Sequence, residues 1–402
     1  METGLVSRRL GQGTLLADLV GFVKERFSMP KIIYEPKKFS TEKLNVIRTA
    51  NRIIADYQQQ GFRLTVRQLY YRFVAGDLFP PSWKYSSVGG KWVRDAENGT
   101  NNAQPNYNNL GVILGDARMA GLVDWDAIED RTREITTVPH WENPASIIEA
   151  CERSFRLDKW NDQQFRVECW VEKDALEGIV SQAANAEDVA AFSCRGYSSL
   201  SSLWEASQRL GKYVNAGQRP IILHLGDHDP SGIDMTRDIS ERLNTFVERD
   251  WYNKNGKELG NQTTIGKIWE SLEIHFRERH GEVDDDLIPG VQVGSISGYV
   301  RKPVTVIRIA LNMNQIEEYN PPPNPAKATD SRYQKYKDLH GDESWELDAL
   351  EPAVLTQLVV DNINKFRNTE KYSARQAEET EHRADLNKAA RAWPRIADFL
   401  SE

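Results

Sequence analysis

Residues 219–234 read Arg-Pro-Ile-Ile-Leu-His-Leu-Gly-Asp-His-Asp-Pro-Ser-Gly-Ile-Asp, the pattern of a buried strand, a turn and a helix start. Pro220–Leu225 is a mostly apolar run with the length of a strand. Gly226 ends it. Asp229 followed by Pro230 suits a helix N-cap and first helical residue, which needs no chemistry beyond capping. A second reading is open on the same residues. In extended chain, residues two apart point the same way, so Asp227 and Asp229 could present two carboxylates at the strand's carboxyl end, where open α/β sheets bind ligands.

Working outward, strand and helix patterns alternate. Phe165–Val171 is β-rich, 174–184 helical, 189–192 apolar and 200–213 helical; beyond the quoted stretch, 233–246 is helical and 305–310 is a strand before a helix capped by Asn312. Such alternation predicts a mostly parallel sheet covered by helices, over residues 160–320. Glu172, in Val-Glu-Lys-Asp-Ala (171–175), ends an earlier strand of that sheet. It could cap a helix, with Asp174 competing. Three acids converging at one sheet edge, Glu172, Asp227 and Asp229, would suit Mg²⁺, which takes hard oxygen ligands.

Residues 41–140 have a different pattern. Leu44, Ile47, Ile53, Ile54 and Tyr57 recur at helical spacing, and Gly61 closes that element. Thr65 and Gln68 form a capping-box pattern, so a second helix should run from there to about Ala75. Gly76–Gln104, rich in Gly, Pro, Ser and Asn, reads as a long loop. Tyr107, Leu110, Ile113, Leu114 and Ala117 mark a third helix, with a short apolar run at Leu122, Val123 and Trp125. The order suggests a winged helix-turn-helix ending in a short strand pair. On the second helix, Arg67 and Tyr71 lie four apart and share a face, beside Tyr70. A phenol needs a base, a cation or a metal to act as a nucleophile at neutral pH. A tyrosine pair on an amphipathic helix is also ordinary packing.

The 402-residue length favours two domains with extensions, and 40% hydrophobic residues allow ordinary cores. Cys151, Cys169 and Cys194 make no zinc or disulfide framework, which fits a reducing, cytoplasmic setting. The apolar stretch 15–23, interrupted by Asp18, reads as neither a signal peptide nor a membrane span. A net charge of −8 argues against nucleic acid as a partner of the whole surface. Locally, nine basic residues face three acids between Lys31 and Ala75. Lys37, Lys38, Arg48, Arg52 and Arg63 are therefore candidate phosphate contacts, or simply a solvated helix face.

Taken together, Arg67–Tyr71, the Val-Glu-Lys-Asp-Ala segment, Arg-Gly-Tyr-Ser-Ser-Leu (195–200) and Gly226–Asp234 resemble the A subunit of type IIB DNA topoisomerases, topoisomerase VI and its relative that makes meiotic double-strand breaks. The resemblance spans roughly residues 41–320. It implies a winged-helix domain followed by a Toprim domain, an α/β plus α+β fold class. It further implies Tyr71 as nucleophile assisted by Arg67, magnesium on Glu172, Asp227 and Asp229, and a 5′-phosphotyrosyl link on each strand of double-stranded DNA held by a homodimer. An ATPase B-type subunit would be a separate chain, since no P-loop occurs here. Alternatives are a Toprim nuclease in which water attacks, and a non-catalytic DNA-binding protein. A primase-type role lacks its Cys/His zinc module.

Residues 1–40 and 321–402 fall outside the resemblance. Asn320–Pro325 reads as a stiff Pro-rich linker. Residues 361–392 predict a helix or helix pair interrupted at Pro394. Trp345-Glu346-Leu347-Asp348 reads first as an ordinary helix start, although its acids could join the metal site.

Overall fold

In the computed structural model, which describes residues 31, 33–128, 140–194, 196, 199–259, 264–284, 286–288, 291–292 and 299–401, the chain divides into two compact units, Met1–Arg133 and Glu134–Glu402.

In the second unit, the quoted stretch is strand and helix as expected. The elements begin with helix α4 (Pro144–Ser154) and continue through β3 (Phe165–Val171), α5 (Glu177–Ala186), β4 (Ala190–Ser193), α6 (Leu200–Asn215) and β5 (Arg219–Leu225) to α7 (Pro230–Leu259). Then come α8 (Ile265–His280), short β6 (Val291–Gln292) and β7 (Tyr299–Val300), β8 (Thr305–Ala310) and α9 (Met313–Tyr319). Strands β4, β3, β5 and β8 lie in that order in one parallel sheet. Every residue of β5 is buried, because helices cover both faces and leave no side for water. Trp170, Ile222, Leu210, Leu243, Leu272 and Phe276 join one core between the sheet and α6, α7 and α8. Helix α8 lies outside the elements that the sequence pattern predicts. It is tied to the start of β5 by a bidentate pair, Arg219 to Glu273, with both contacts at 2.9 Å.

The C-terminal part belongs to this unit. The Pro-rich stretch expected as a stiff linker contains β9 (Asn324–Pro325), which pairs antiparallel with β10 (Glu343–Ser344) after α10 (Tyr333–His340). Prolines are tolerated because this two-stranded ribbon is all edge. Helix α11 (Pro352–Asn364) packs on α5, β5 and β8, and α12 (Thr369–Ser401) on α4. Pro394 does not interrupt α12. It falls in the last two turns, where a missing N–H costs one bond and little of the helix follows.

In the first unit, α1 (Thr41–Gln59) is capped by Ser40 and buries Val46, Ile47, Ala50, Ile53, Ile54 and Tyr57. Helix α2 (Val66–Ala75) opens with the capping box expected of Thr65 and Gln68. Helix α3 (Gln104–Met119) buries Leu110, Ile113, Leu114 and Ala117. The long loop expected between α2 and α3 is replaced in part by a hairpin, β1 (Tyr85–Val88) and β2 (Lys91–Arg94). Its turn residues Gly89 and Gly90 have φ of +58° and +75°, the positive values a two-residue type I′ turn requires. Periodicity missed it because most of this ribbon buries neither face. The short strand pair expected after α3 is not formed at Trp125–Ala127, which is a 3₁₀ turn; residues 129–139 lie outside the described residues. Among the described residues no helix is long and apolar enough to cross a membrane.

Candidate functional site

The chain leaves β3 toward β4 on one side and returns to β5 on the other. The carboxyl ends of β3 and β5 therefore flank the point where strand order reverses, where open α/β sheets form a ligand crevice. Glu172 follows β3 directly, and its N–H donates to Leu225 O at 2.8 Å. Its Oε2 accepts the backbone N–H of Asp227 at 2.9 Å. Two glycines of the quoted stretch permit this approach. A Cβ on Gly226 would lie 2.8 Å from Glu172 Oε2, and one on Gly232 would lie 2.3 Å from Asp227 O. Asp229 Oδ1 accepts the Gly232 N–H at 2.6 Å, so its capping role is real. Its charge also acts on Glu172, so capping and membership of an acidic group coexist.

The chain's end completes the crevice. His228 and Trp345 exchange backbone hydrogen bonds at 2.8 and 3.0 Å, laying the segment after β10 against the turn that follows β5. Leu347 N–H donates to Asp227 Oδ1 at 2.8 Å. Lys173 Nζ reaches Asp227 Oδ1 at 3.0 Å, Glu346 Oε2 at 2.5 Å and Asp348 Oδ1 at 3.1 Å. Glu346 and Asp348 do start a 3₁₀ turn, Leu347–Ala349, as the sequence suggested. They also stand at the acidic site, the other reading open on these residues. The backbone pairing of Trp345 turns their carboxylates onto Lys173.

Arg308 closes the underside by donating to the carbonyl oxygens of Gly226, Asp227 and Gly232 at 2.5–2.9 Å. Burial drives the electrostatics. It pushes Asp227 up to about 7, against the pull of Lys173 and with the push of Glu172, Asp348 and Glu346. It raises Glu172 as well, with Asp229 adding repulsion. His224, fully enclosed behind the turn, is pushed down to about 3 by burial and then by Arg308, so it is neutral. Sequence reasoning missed Lys173 and Arg308. No spacing signal could link Arg308 to a turn some 80 residues earlier.

Glu172, Asp227 and Asp229 are thus brought to one sheet edge, and they are the hard oxygen donors that magnesium takes. Among the described residues, no group of three or more His, Cys, Asp or Glu side chains stands close enough to hold a metal ion. Lys173 acts on Glu172 and Asp227, and the charge of Arg308 acts on all three acids. Donor chemistry fits the ion; an assembled cage is not preformed. Of the expected turn at 195–200, residues 195, 197 and 198 lie outside the described residues. Gly196 has φ +83°, and Ser199 caps α6.

In the other unit, Tyr70 and Tyr71 pack edge-to-face at 5.3 Å, and each is 5% exposed. Burial does not separate them. Tyr70 OH donates to Asn102 Oδ1 at 2.9 Å and its ring meets Phe79 and Tyr107. The exposed Arg67 guanidinium lies 5.9 Å from the centre of the Tyr71 ring. Of the basic candidates, Lys37 is held by Asp116 at 2.7 Å, with Glu35 at 3.6 Å. Lys38, Arg48, Arg52 and Arg63 are exposed, and Arg48 and Arg52 share a face of α1.

Comparison with protein-family models, curated proteins and solved structures finds no match. The geometry therefore carries the functional reading.

Proposed function

We propose that this chain is a DNA-cleaving transesterase of the type IIB topoisomerase A-subunit kind, with a winged-helix unit carrying Tyr71 and a Toprim unit carrying the acids. The observation that carries the reading is the convergence of Glu172, Asp227 and Asp229 at the strand-order reversal of a parallel sheet. Carboxylates raised chiefly by burial, with neighbouring acids adding repulsion, favour a site that takes up a cation. Glu172, Asp227 and Asp229 would hold magnesium, which supplies positive charge to a phosphodiester and its leaving oxygen.

The chain's own residues do the remainder. Exposed Arg48, Arg52, Arg63 and Lys38 hold the duplex through its phosphates. Arg67 favours the ionised phenol of Tyr71 and pairs with the attacked phosphate. The phenolic oxygen bonds to phosphorus, the bond from phosphorus to the 3′ oxygen breaks, and a proton is returned to that oxygen. The product is a 5′-phosphotyrosyl link and a free 3′ hydroxyl. A homodimer would cut both strands.

One observation favours a second reading. Tyr71 is 5% exposed, which suits a packing residue and leaves attack to water at the acids. Incubation with supercoiled plasmid and Mg²⁺, then denaturing detergent with and without protease, separates the two. Linear DNA that enters a gel only after proteolysis supports the transesterase; protein-free linear DNA supports the nuclease. Intact plasmid under all conditions overturns both.

A further inference from the structure

The hairpin β1–β2 has no part in the chemistry above. It projects as a two-stranded ribbon, a form that is marginal in water unless something anchors it. Its base is anchored. Tyr85, 6% exposed, exchanges backbone bonds with Thr100 at 2.9 Å in each direction, and Asp95 N–H donates to Lys84 O at 2.9 Å. Asp95 also accepts from Ser86 Oγ at 2.7 Å and from the Asn98 N–H at 2.9 Å. Gly99 passes so close that a Cβ there would lie 2.3 Å from Asp95 O.

Beyond this pedestal the ribbon is bare. Val88 is 63% exposed, Trp92 41% and Val93 51%, and Lys91 and Arg94 are exposed too. Residues opposite one another share a face. Pairing of Ser87 with Trp92 and of Tyr85 with Arg94 puts the indole and the guanidinium on one face. The pairs Val88–Lys91 and Ser86–Val93 put an ammonium and two valines on the other. No acid occurs from Lys84 to Arg94. Among the described residues, neither Lys91 nor Arg94 pairs with a carboxylate.

A solvated edge needs charges, and it is normally spared exposed tryptophan and valine. Cations interleaved with large apolar groups on both faces match a polyanion that also offers sugar and base surface. A two-stranded ribbon is narrow enough for the major groove of a duplex, and apolar side chains can press on base steps.

We infer that the β1–β2 hairpin is a second contact to duplex DNA, with Lys91 and Arg94 on phosphates and Trp92, Val88 and Val93 against sugar and base. This rests on the DNA reading of the preceding subsection and adds a contact separate from the basic residues of α1.

The test is binding of full-length protein to a fluorescein-labelled 30-base-pair duplex by anisotropy, over a salt series. The triple variant Lys91→Ala/Trp92→Ala/Arg94→Ala should bind roughly tenfold or more weakly. Its slope against log salt should fall by about two. The side chains are exposed, so the thermal midpoint should match wild type; Lys91→Glu alone should also weaken binding. Unchanged affinity and slope in both variants overturn the inference. Unchanged affinity with lost self-association in gel filtration would assign the hairpin to a second copy, and overturns it too. Weakened binding by a protein whose wild type never cuts DNA would uphold the hairpin and remove the transesterase. Wild-type binding and cutting by the triple variant would do the reverse.

Discussion

Asp227 accepts the backbone N–H of Leu347 through Oδ1 at 2.8 Å, joining the end of β5 to a segment 120 residues further along the chain. The same oxygen lies 3.0 Å from Lys173 Nζ. The crevice is therefore assembled from four separated pieces of sequence, around Glu172, Asp227, Arg308 and Leu347, and the last of them brings two more acids to Lys173. Lys173 faces Asp227, Glu346 and Asp348, and all four side chains are no more than 25% exposed.

Lys173→Met should be strongly destabilising without metal. It leaves three largely buried carboxylates without their ammonium, and breaking a buried pair by removing one partner costs about 3–5 kcal/mol. Urea unfolding measures this directly. Added Mg²⁺ should restore the variant's midpoint more than it raises that of wild type, because the ion replaces the missing charge. A midpoint equal to wild type in metal-free buffer would show that Lys173 does not balance the acids.

The pH dependence of Asp227 follows from the direction of its shift. Burial raises the folded-state value from 3.8 to about 7. Between those values the folded state keeps a proton that the unfolded state has released, so this group's contribution to stability falls as pH rises from about 4 to 7. Asp227→Asn keeps an oxygen for the Leu347 N–H and removes the titration. In metal-free buffer its thermal midpoint relative to wild type should be higher at pH 7.5 than at pH 4.5. An offset equal at both pH values would contradict this account.

Much of the sheet was legible because β5 is buried throughout and β3 almost so, and both read as β-rich runs of nearly the observed lengths; β8, an edge strand half-buried along its first four residues, is legible from its β-branched residues. The three acids were legible because each follows a strand or turn with a local signature. The rest of the site was not. Lys173 adjoins Glu172 and looks like any solvated lysine; its environment is set by Glu346 and Asp348, which arrive through the pairing of His228 with Trp345. The Asn320–Pro325 stretch concealed a strand because its two residues, Asn324 and Pro325, have no periodicity. Hairpin β1–β2 escaped for the opposite reason: its alternation exists, but most of neither face meets a core.

The basic residues of the first unit should divide into two groups. Arg48→Glu and Arg52→Glu should each weaken duplex binding and reduce its salt slope by about one, since both are exposed on one face of α1. Lys37→Ala should alter DNA binding less, because its ammonium is already taken up by Asp116 and Glu35. Anisotropy titrations across salt distinguish the groups. A larger loss from Lys37→Ala than from Arg48→Glu would contradict the division.

The central claim is that the phenol of Tyr71 attacks DNA. Tyr70 already donates its hydroxyl to Asn102 and packs among Phe79 and Tyr107, which is the environment of a structural tyrosine. Replacing either tyrosine by Phe removes one oxygen and keeps the ring. The decisive measurement is protein-linked, labelled DNA recovered after detergent denaturation in Mg²⁺, comparing wild type, Tyr70→Phe and Tyr71→Phe. The account predicts adduct with wild type and Tyr70→Phe, and none with Tyr71→Phe although it still binds duplex. Adduct or cleavage by Tyr71→Phe at the wild-type level would contradict it and assign the attack to water.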